Sequence, residues 1–160
     1  MALATKAFAT AGSKLYVTSA TTAPATWDKT GFTALTFTEL GNLLDLGDGY
    51  GKNTNTTDFA GINRKEIESI PTNFTSGSPT VIYAADKLGT DSGQTIMIEA
   101  AEDEEYRFFK IVLSNGETIY FQARVNGSPL TLGTVDQLVQ YSAVLSIYND
   151  GNGFVRVPAP

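Results

Sequence analysis

The chain contains no cysteine and no histidine. The first absence excludes disulfides and thiolate metal sites. The second removes the commonest general base and the commonest metal ligand. Ser–Lys arrangements remain as nucleophilic possibilities, but the usual triads are gone. Positive charge is also scarce. Eleven Lys and Arg stand against 17 Asp and Glu, giving a net charge of −6 over 160 residues. A basic groove that grips nucleic acid by displacing counterions is therefore excluded. No apolar run approaches the ~20 residues of a membrane helix, and the N-terminal MALATKAFATAGSKLYV lacks an apolar core long enough for a secretory signal. These features predict a chain made in the cytoplasm and not bound to membrane.

What is present is strand-forming sequence. The apolar fraction of 42% suffices for a core, and the length fits one domain. The stretch from Glu104 to Asn126, EEYRFFKIVLSNGETIYFQARVN, places two runs of β-branched and aromatic residues around Asn115-Gly116, a strong hairpin signal. A two-residue turn there pairs Ser114 with Glu117. One face then carries Val112/Ile119, Lys110/Phe121, Phe108/Ala123 and Tyr106/Val125. The other carries Leu113/Thr118, Ile111/Tyr120, Phe109/Gln122 and Arg107/Arg124. Ile111, Phe109 and Tyr120 fall on the side that should be wet in a half-exposed sheet, so a helix of the same chain or another copy must cover them. Arg107 opposite Arg124 repels as a bare pair; both guanidiniums are expected in water.

Other strands are expected at Lys14–Thr18, Leu35–Leu40, Arg64–Ile70, Pro79–Ala85, Val135–Tyr148 and Phe154–Val157, with a further apolar group at Leu43–Leu46. Ser19 to Gly31 reads as a polar loop holding the sole tryptophan, Trp27, and Thr72 to Ser78 as a turn cluster. Asp91 to Glu102 is the one clear helix, with Asp91 or Ser92 as N-cap. Ile96 and Ala100, Met97 and Ala101 line one stripe, and this helix is the expected cover for Phe109 and Ile111. Residues 1–13 read as an N-terminal arm and 158–160 as a tail. The stretch Gly47 to Asn63, GDGYGKNTNTTDFAGIN, is too long and polar for an ordinary connection. It is read as an assembly arm ordered on contact with a neighbour, anchored by Tyr50 and Phe59; a protruding hairpin is the alternative.

The search for chemistry returns little. Gly47-Asp48-Gly49-Tyr50-Gly51 matches neither dinucleotide nor P-loop spacing. Asp45, Asp48 and Asp58 do not meet the calcium-loop pattern. Glu66 and Glu68 share a face of the expected strand, but without a pocket signature they read as solvated rather than as an acid/base pair. No cofactor, metal or catalytic residue is assigned, and an enzyme is disfavoured.

In order and spacing, four features resemble one family over most of the chain. These are the early strand Gly12-Ser13-Lys14-Leu15-Tyr16-Val17, the polar insertion after Leu46, the motif GQTIMIEAAEDEEYRF from Gly93 to Phe108, and IVLSNGETIYFQARV followed by a long final strand. They resemble the major tail tube proteins of long-tailed, non-contractile phages. The resemblance implies a mainly β fold, a β-sandwich with one flanking α-helix whose sheets join between subunits into a ring barrel. It implies a non-enzymatic virion protein that assembles into stacked hexameric rings, the tail tube through which genome DNA is ejected. Implied partners are further copies of the chain, a tape measure protein inside the tube before ejection, and tail terminator and tail tip proteins. DNA passes without specific binding. Some relatives carry an immunoglobulin-like C-terminal domain, which a chain ending at Pro160 is expected to lack. Tyr50, Lys52, Asp58, Phe59, Arg107 and Arg124 are the expected inter-subunit contacts, and Glu66 and Glu68 the expected lumen-facing charges. The second reading is a phage baseplate or head-completion subunit, or a carbohydrate-binding β-sandwich using Trp27 with Tyr50 as platform.

Overall fold

The structure, a computed structural model, describes residues 7–160; the first six residues of the expected N-terminal arm lie outside the described part. In chain order the elements are β1 (Lys14–Val17), α1 (Lys29–Thr33), β2 (Thr38–Glu39), β3 (Leu43–Asp45), β4 (Asn53–Phe59), β5 (Glu68–Thr75), β6 (Thr80–Ala84), α2 (Ser92–Asp103), β7 (Tyr106–Val112), β8 (Thr118–Val125), β9 (Leu130–Thr131), β10 (Gln140–Ile147) and β11 (Val155–Val157). Strand follows strand in the order β2-β1-β7-β8-β10-β6-β3, with β11 beside β8 and β9 beside β10; β4 and β5 form a separate pair. All pairings are antiparallel. The protein is mainly β and sandwich-like, with α2 at its flank.

The two halves of the sandwich share β10. Residues Gln140 to Val144 pair with β6, whereas Leu145 to Ile147 pair with β8. Its inward residues Ala143, Leu145 and Ile147 join one core with Leu15 and Val17 of β1, Val81 and Tyr83 of β6, Phe109 and Ile111 of β7, and Phe121 and Ala123 of β8. Met97 and Ala100 of α2 close that core, so the helix covers Phe109 and Ile111 as expected. Asp91 caps the helix, its carboxylate accepting from the Gln94 N–H at 2.9 Å.

The central hairpin differs from the sequence expectation by one residue. Its loop is Ser114-Asn115-Gly116, closed by the Leu113 N–H donating to the Glu117 carbonyl at 2.8 Å. Gly116 sits at φ +91°, and the Asn115 side-chain oxygen accepts from the Glu117 N–H at 2.9 Å. A three-residue loop with glycine in this region makes a bulged turn, and it competes with the two-residue turn for the same Asn-Gly signal. Because side chains alternate, a one-residue slip changes every facing pair. Phe109 therefore faces Phe121, Phe108 faces Gln122, Arg107 faces Ala123 and Tyr106 faces Arg124. Phe109 and Phe121 stack at 5.4 Å inside the core. The expected Arg107/Arg124 confrontation does not occur.

Four more boundaries move. The loop expected over 19–31 runs into the short helix α1, whose Phe32 lies under the opposite sheet face, stacked on Tyr120 at 5.1 Å with Phe108 and Trp27 around it. This second small core covers the outer side of β7 and β8. The strand expected over Leu35–Leu40 shrinks to Thr38–Glu39 because Leu35 and Phe37 pack against that cluster instead. The strand expected from Val135 begins only at Gln140, since a turn closed by the Gln137 N–H on Thr134 precedes it. The strand expected at Arg64–Ile70 runs instead from Glu68 to Thr75, passing through Pro71 and the supposed turn cluster.

Gln94 ties these layers together. Buried at the first turn of α2, its side-chain oxygen accepts from the Asp86 N–H at 3.0 Å, while its amide nitrogen donates to the carbonyls of Gly41 at 3.1 Å and Ala84 at 2.9 Å. Replacing Gln94 with Leu keeps the volume and strands these backbone groups. The expected cost is about 3 kcal/mol, since each buried unpaired group costs about 1–3. Urea unfolding followed by circular dichroism checks this, with a native spectrum retained before the transition.

Candidate assembly surface

The stretch after Leu46 builds a protruding arm. Asp45 accepts from the Gly47 N–H at 2.7 Å, turning the chain outward. Tyr50 anchors the root: its ring lies 5.6 Å from Phe121, and its hydroxyl donates to the Leu46 carbonyl at 2.5 Å. Burial, and secondarily the charge of Asp45, pushes the Tyr50 phenol well above its ordinary range. The two chains of the arm meet where the Gly51 N–H donates to the Ser76 carbonyl at 3.2 Å. Gly77, at φ +105°, lets the return strand pass directly against the Gly49 carbonyl, where a Cβ would collide with backbone.

Beyond that root, β4 and β5 pair only with each other. The polar stretch is thus half of a hairpin, the arrangement weighed second at the sequence level, and not a structureless loop. The register puts Ile70, opposite Thr57, on the same face as Phe59, whereas Phe74, opposite Thr54, lies on the other face beyond a bulge in β5. Polar pairs cross the ribbon on both faces: the Ser69 hydroxyl donates to Asp58 at 2.5 Å, and the Asn55 amide to Asn73 at 3.0 Å. Pro71 is tolerated because β5 has one partner and an open edge, opposite a bulge between Thr54 and Thr56. Every residue of β5 is exposed. Ile62 and Ile67 extend the apolar surface around the tip, where Ile62 is as exposed as in an extended peptide (108%). A two-stranded ribbon is at best marginally stable in water, and exposed apolar surface of this extent marks a contact site.

The expected contact residues are dispersed. Lys52, Asp58 and Phe59 lie on the arm: the Lys52 ammonium sits 4.5 Å over the Phe74 ring, and Asp58 is held by Ser69. Tyr50 lies at its root. Arg107 is elsewhere and buried, donating to Asp103 at 2.8 Å and to the Ser19 carbonyl at 2.9 Å. It places a cation at the C-terminal end of α2, where the helix dipole and the acidic run after Glu99 favour one, so the expectation of a guanidinium in water is corrected. Arg124 lies 4.9 Å over the Tyr106 ring on the outer sheet face. Glu66 and Glu68 are at the arm tip. They do not share a strand face, because Glu66 precedes β5, and Glu68 pairs with Arg64 at 3.2 Å. The sequence reading missed Ile67, Ile70 and Phe74 as arm residues, because Pro71 and the turn-like Thr72–Ser78 composition hid the strand that the bulged β5 makes.

Trp27 and Tyr50 do not form a platform. Trp27 packs on Phe32 at 5.0 Å and donates its indole N–H to the Gly153 carbonyl at 3.0 Å, whereas Tyr50 joins the main core. Among the described residues no group of three or more acidic side chains gathers as a metal site.

No protein-family model matches the chain, and no curated protein matches it. Solved structures do. A chain of the anti-feeding prophage (AFP) baseplate, determined by cryo-EM with six-fold symmetrisation, is similar over 97% of both chains, with a TM-score of 0.64 at 9% identity. The SPP1 tail tube, determined by solid-state NMR and cryo-EM, is similar over 90% of this chain and 75% of that one, with a TM-score of 0.54 at 14% identity. The chain therefore has a phage tail-tube type of fold.

Tyr50→Phe removes the hydroxyl bond to Leu46 and is expected to cost about 1 kcal/mol at neutral pH. The native phenol titrates higher than the unfolded one, so its contribution is complete below the unfolded value near 10 and fades as pH rises beyond it. Denaturant titrations across that range check the variant, which should lose less stability than the parent on alkalinisation.

Proposed function

We propose that the chain is a tail tube subunit. It assembles into hexameric rings that stack into a hollow conduit for phage DNA, works by self-association and passive conduction, and performs no catalysis. The observation that carries this reading is the β4–β5 arm, a ribbon whose apolar side chains Phe59, Ile62, Ile67, Ile70 and Phe74 are exposed, on a tail-tube type of fold. Short outer strands such as β2, β3 and β9 leave sheet edges at which identical copies can add strand to strand. A head-to-tail contact between copies closes into a ring when its rotation permits. The net charge of −6 suits a wall that must not hold DNA, with Glu66 and Glu68 proposed as lumen-facing charges and Lys52, Asp58, Phe59 and Arg124 as contacts between subunits. Tyr50 and Arg107 support such contacts from within, by fixing the arm root and the end of α2. Further proposed partners are the tape measure, terminator and tip proteins, in a virion tail.

The likeness to a baseplate chain favours a second reading, a subunit that forms a single ring at the tail end. Electron microscopy of the purified protein separates the two. Long hollow tubes with a regular axial repeat support the tube subunit, and discrete single rings the baseplate subunit. Strictly monomeric particles at high concentration overturn both. Because Gly51 and Ser76 touch, Lys52–Thr75 can be replaced by two glycines without stretching the chain. That variant is expected to keep the parent β-sheet circular dichroism and to remain monomeric by light scattering.

A further inference from the structure

We propose that the segment Leu130 to Val139 is the socket that receives the arm of a second copy of the chain. This rests on the assembly reading above and names the surface that the arm meets.

The first observation is exposure. Leu132 (62%), Val135 (95%) and Leu138 (64%) stand in solvent, with Leu130 and Val139 also open. Nothing in the described chain covers them. Such a cluster on a two-residue strand and a turn does not serve the core, and its extent marks a contact site.

The second is position. The arm is rooted where β10 ends, with the Ile147 N–H donating to the Gly77 carbonyl at 3.1 Å. The socket lies where β10 begins: Gln140 pairs with Thr131, and the Ala85 N–H donates to the Val139 carbonyl at 2.9 Å. The two apolar surfaces are thus rooted at opposite ends of the β6–β10 pair, about 25 Å apart at 3.2–3.4 Å per strand residue. Displacing one copy along these strands carries its arm to the socket of the next. The two surfaces differ, so the contact is head-to-tail and repeats from copy to copy.

The third is charge. Identical acidic subunits repel, and they meet best where they carry least charge. Residues 52–75 hold three cations (Lys52, Arg64, Lys65) and three anions (Asp58, Glu66, Glu68), net zero, and residues 127–149 hold only Asp136. The chain's surplus of −6 lies almost wholly elsewhere. Since Arg64 is engaged by Glu68, the tip offers Lys65, and the socket's only charge is Asp136, a complementary pair.

The absence of native cysteine makes the test clean. Ile67→Cys and Val135→Cys are made as separate proteins, mixed under assembly conditions and oxidised with copper phenanthroline. The expected result is a disulfide dimer of unlike chains, identified by mass, that exceeds either like-with-like dimer at least tenfold. A chain carrying both substitutions is expected to give a ladder of multimers. Assembly by light scattering without the unlike dimer, or with like-with-like dimers dominant, overturns the socket and leaves the tube reading standing. Absence of any assembly overturns both. Val135→Asp, at an exposed turn position, is expected to keep the parent circular dichroism and raise the concentration needed for assembly at least tenfold; unchanged assembly overturns the socket.

Discussion

A single strand that hydrogen-bonds to two different sheets governs this molecule. The first half of β10 belongs with β6 and its second half with β8. A flat sheet of this width would need its whole inner face covered from outside. By leaning on both halves, β10 folds the sheet onto itself, so Tyr83, Phe109, Phe121 and Leu145 share one dry interior. The hydrophobic gain of that shared interior outweighs the loss of a long regular ladder. The same strand sets the two ends of the molecule, because the arm root joins it at Ile147 and the exposed apolar loop enters it at Gln140.

Cover is then supplied unevenly. Helix α2 closes the main core with Met97 and Ala100, and the loop bearing Trp27 and Phe32 closes the outer face of the central hairpin. No such lid is provided for β4 and β5. A ribbon of that length pays the conformational entropy of ordering its backbone and recovers little by burial. Its apolar side chains, Phe59 and Ile70 on one face and Phe74 on the other, are left as surface. The fold thus divides its apolar groups between an interior buried within the chain and surfaces that the described chain leaves open.

The buried polar groups follow the same economy. Gln94 answers three backbone groups from one side chain, and Arg107 joins Asp103 to the Ser19 carbonyl. In each case a strand end or helix end that the ladder leaves unpaired is satisfied by a residue distant in sequence. Local sequence carries no mark of this. Arg107 reads as a solvated charge until the helix end is brought beside it, and Gln94 as an ordinary polar residue of a first turn.

Local sequence determined what depends on neighbours a few residues apart. The cap at Asp91, the stripe of Met97 and Ala100, the hairpin around Asn115-Gly116, and the alternation of Ala143, Leu145 and Ile147 follow from torsional preference and periodicity. The mainly β class and the helix over Phe109 and Ile111 were legible for that reason, as was the acidic balance of the chain. Tertiary structure decided what depends on competition between near-equal local states. Asn-Gly serves a two-residue or a three-residue loop almost equally well, and the stacking of Phe109 on Phe121 selects the latter. Thr72-Asn73-Phe74-Thr75 has the composition of a turn, yet it extends because β4 lies beside it to take its hydrogen bonds. Val135 to Gln137 has the composition of a strand, yet it turns because no strand partner reaches it. Strand pairing is a contact between distant residues, so its presence or absence is settled only when the chain is folded.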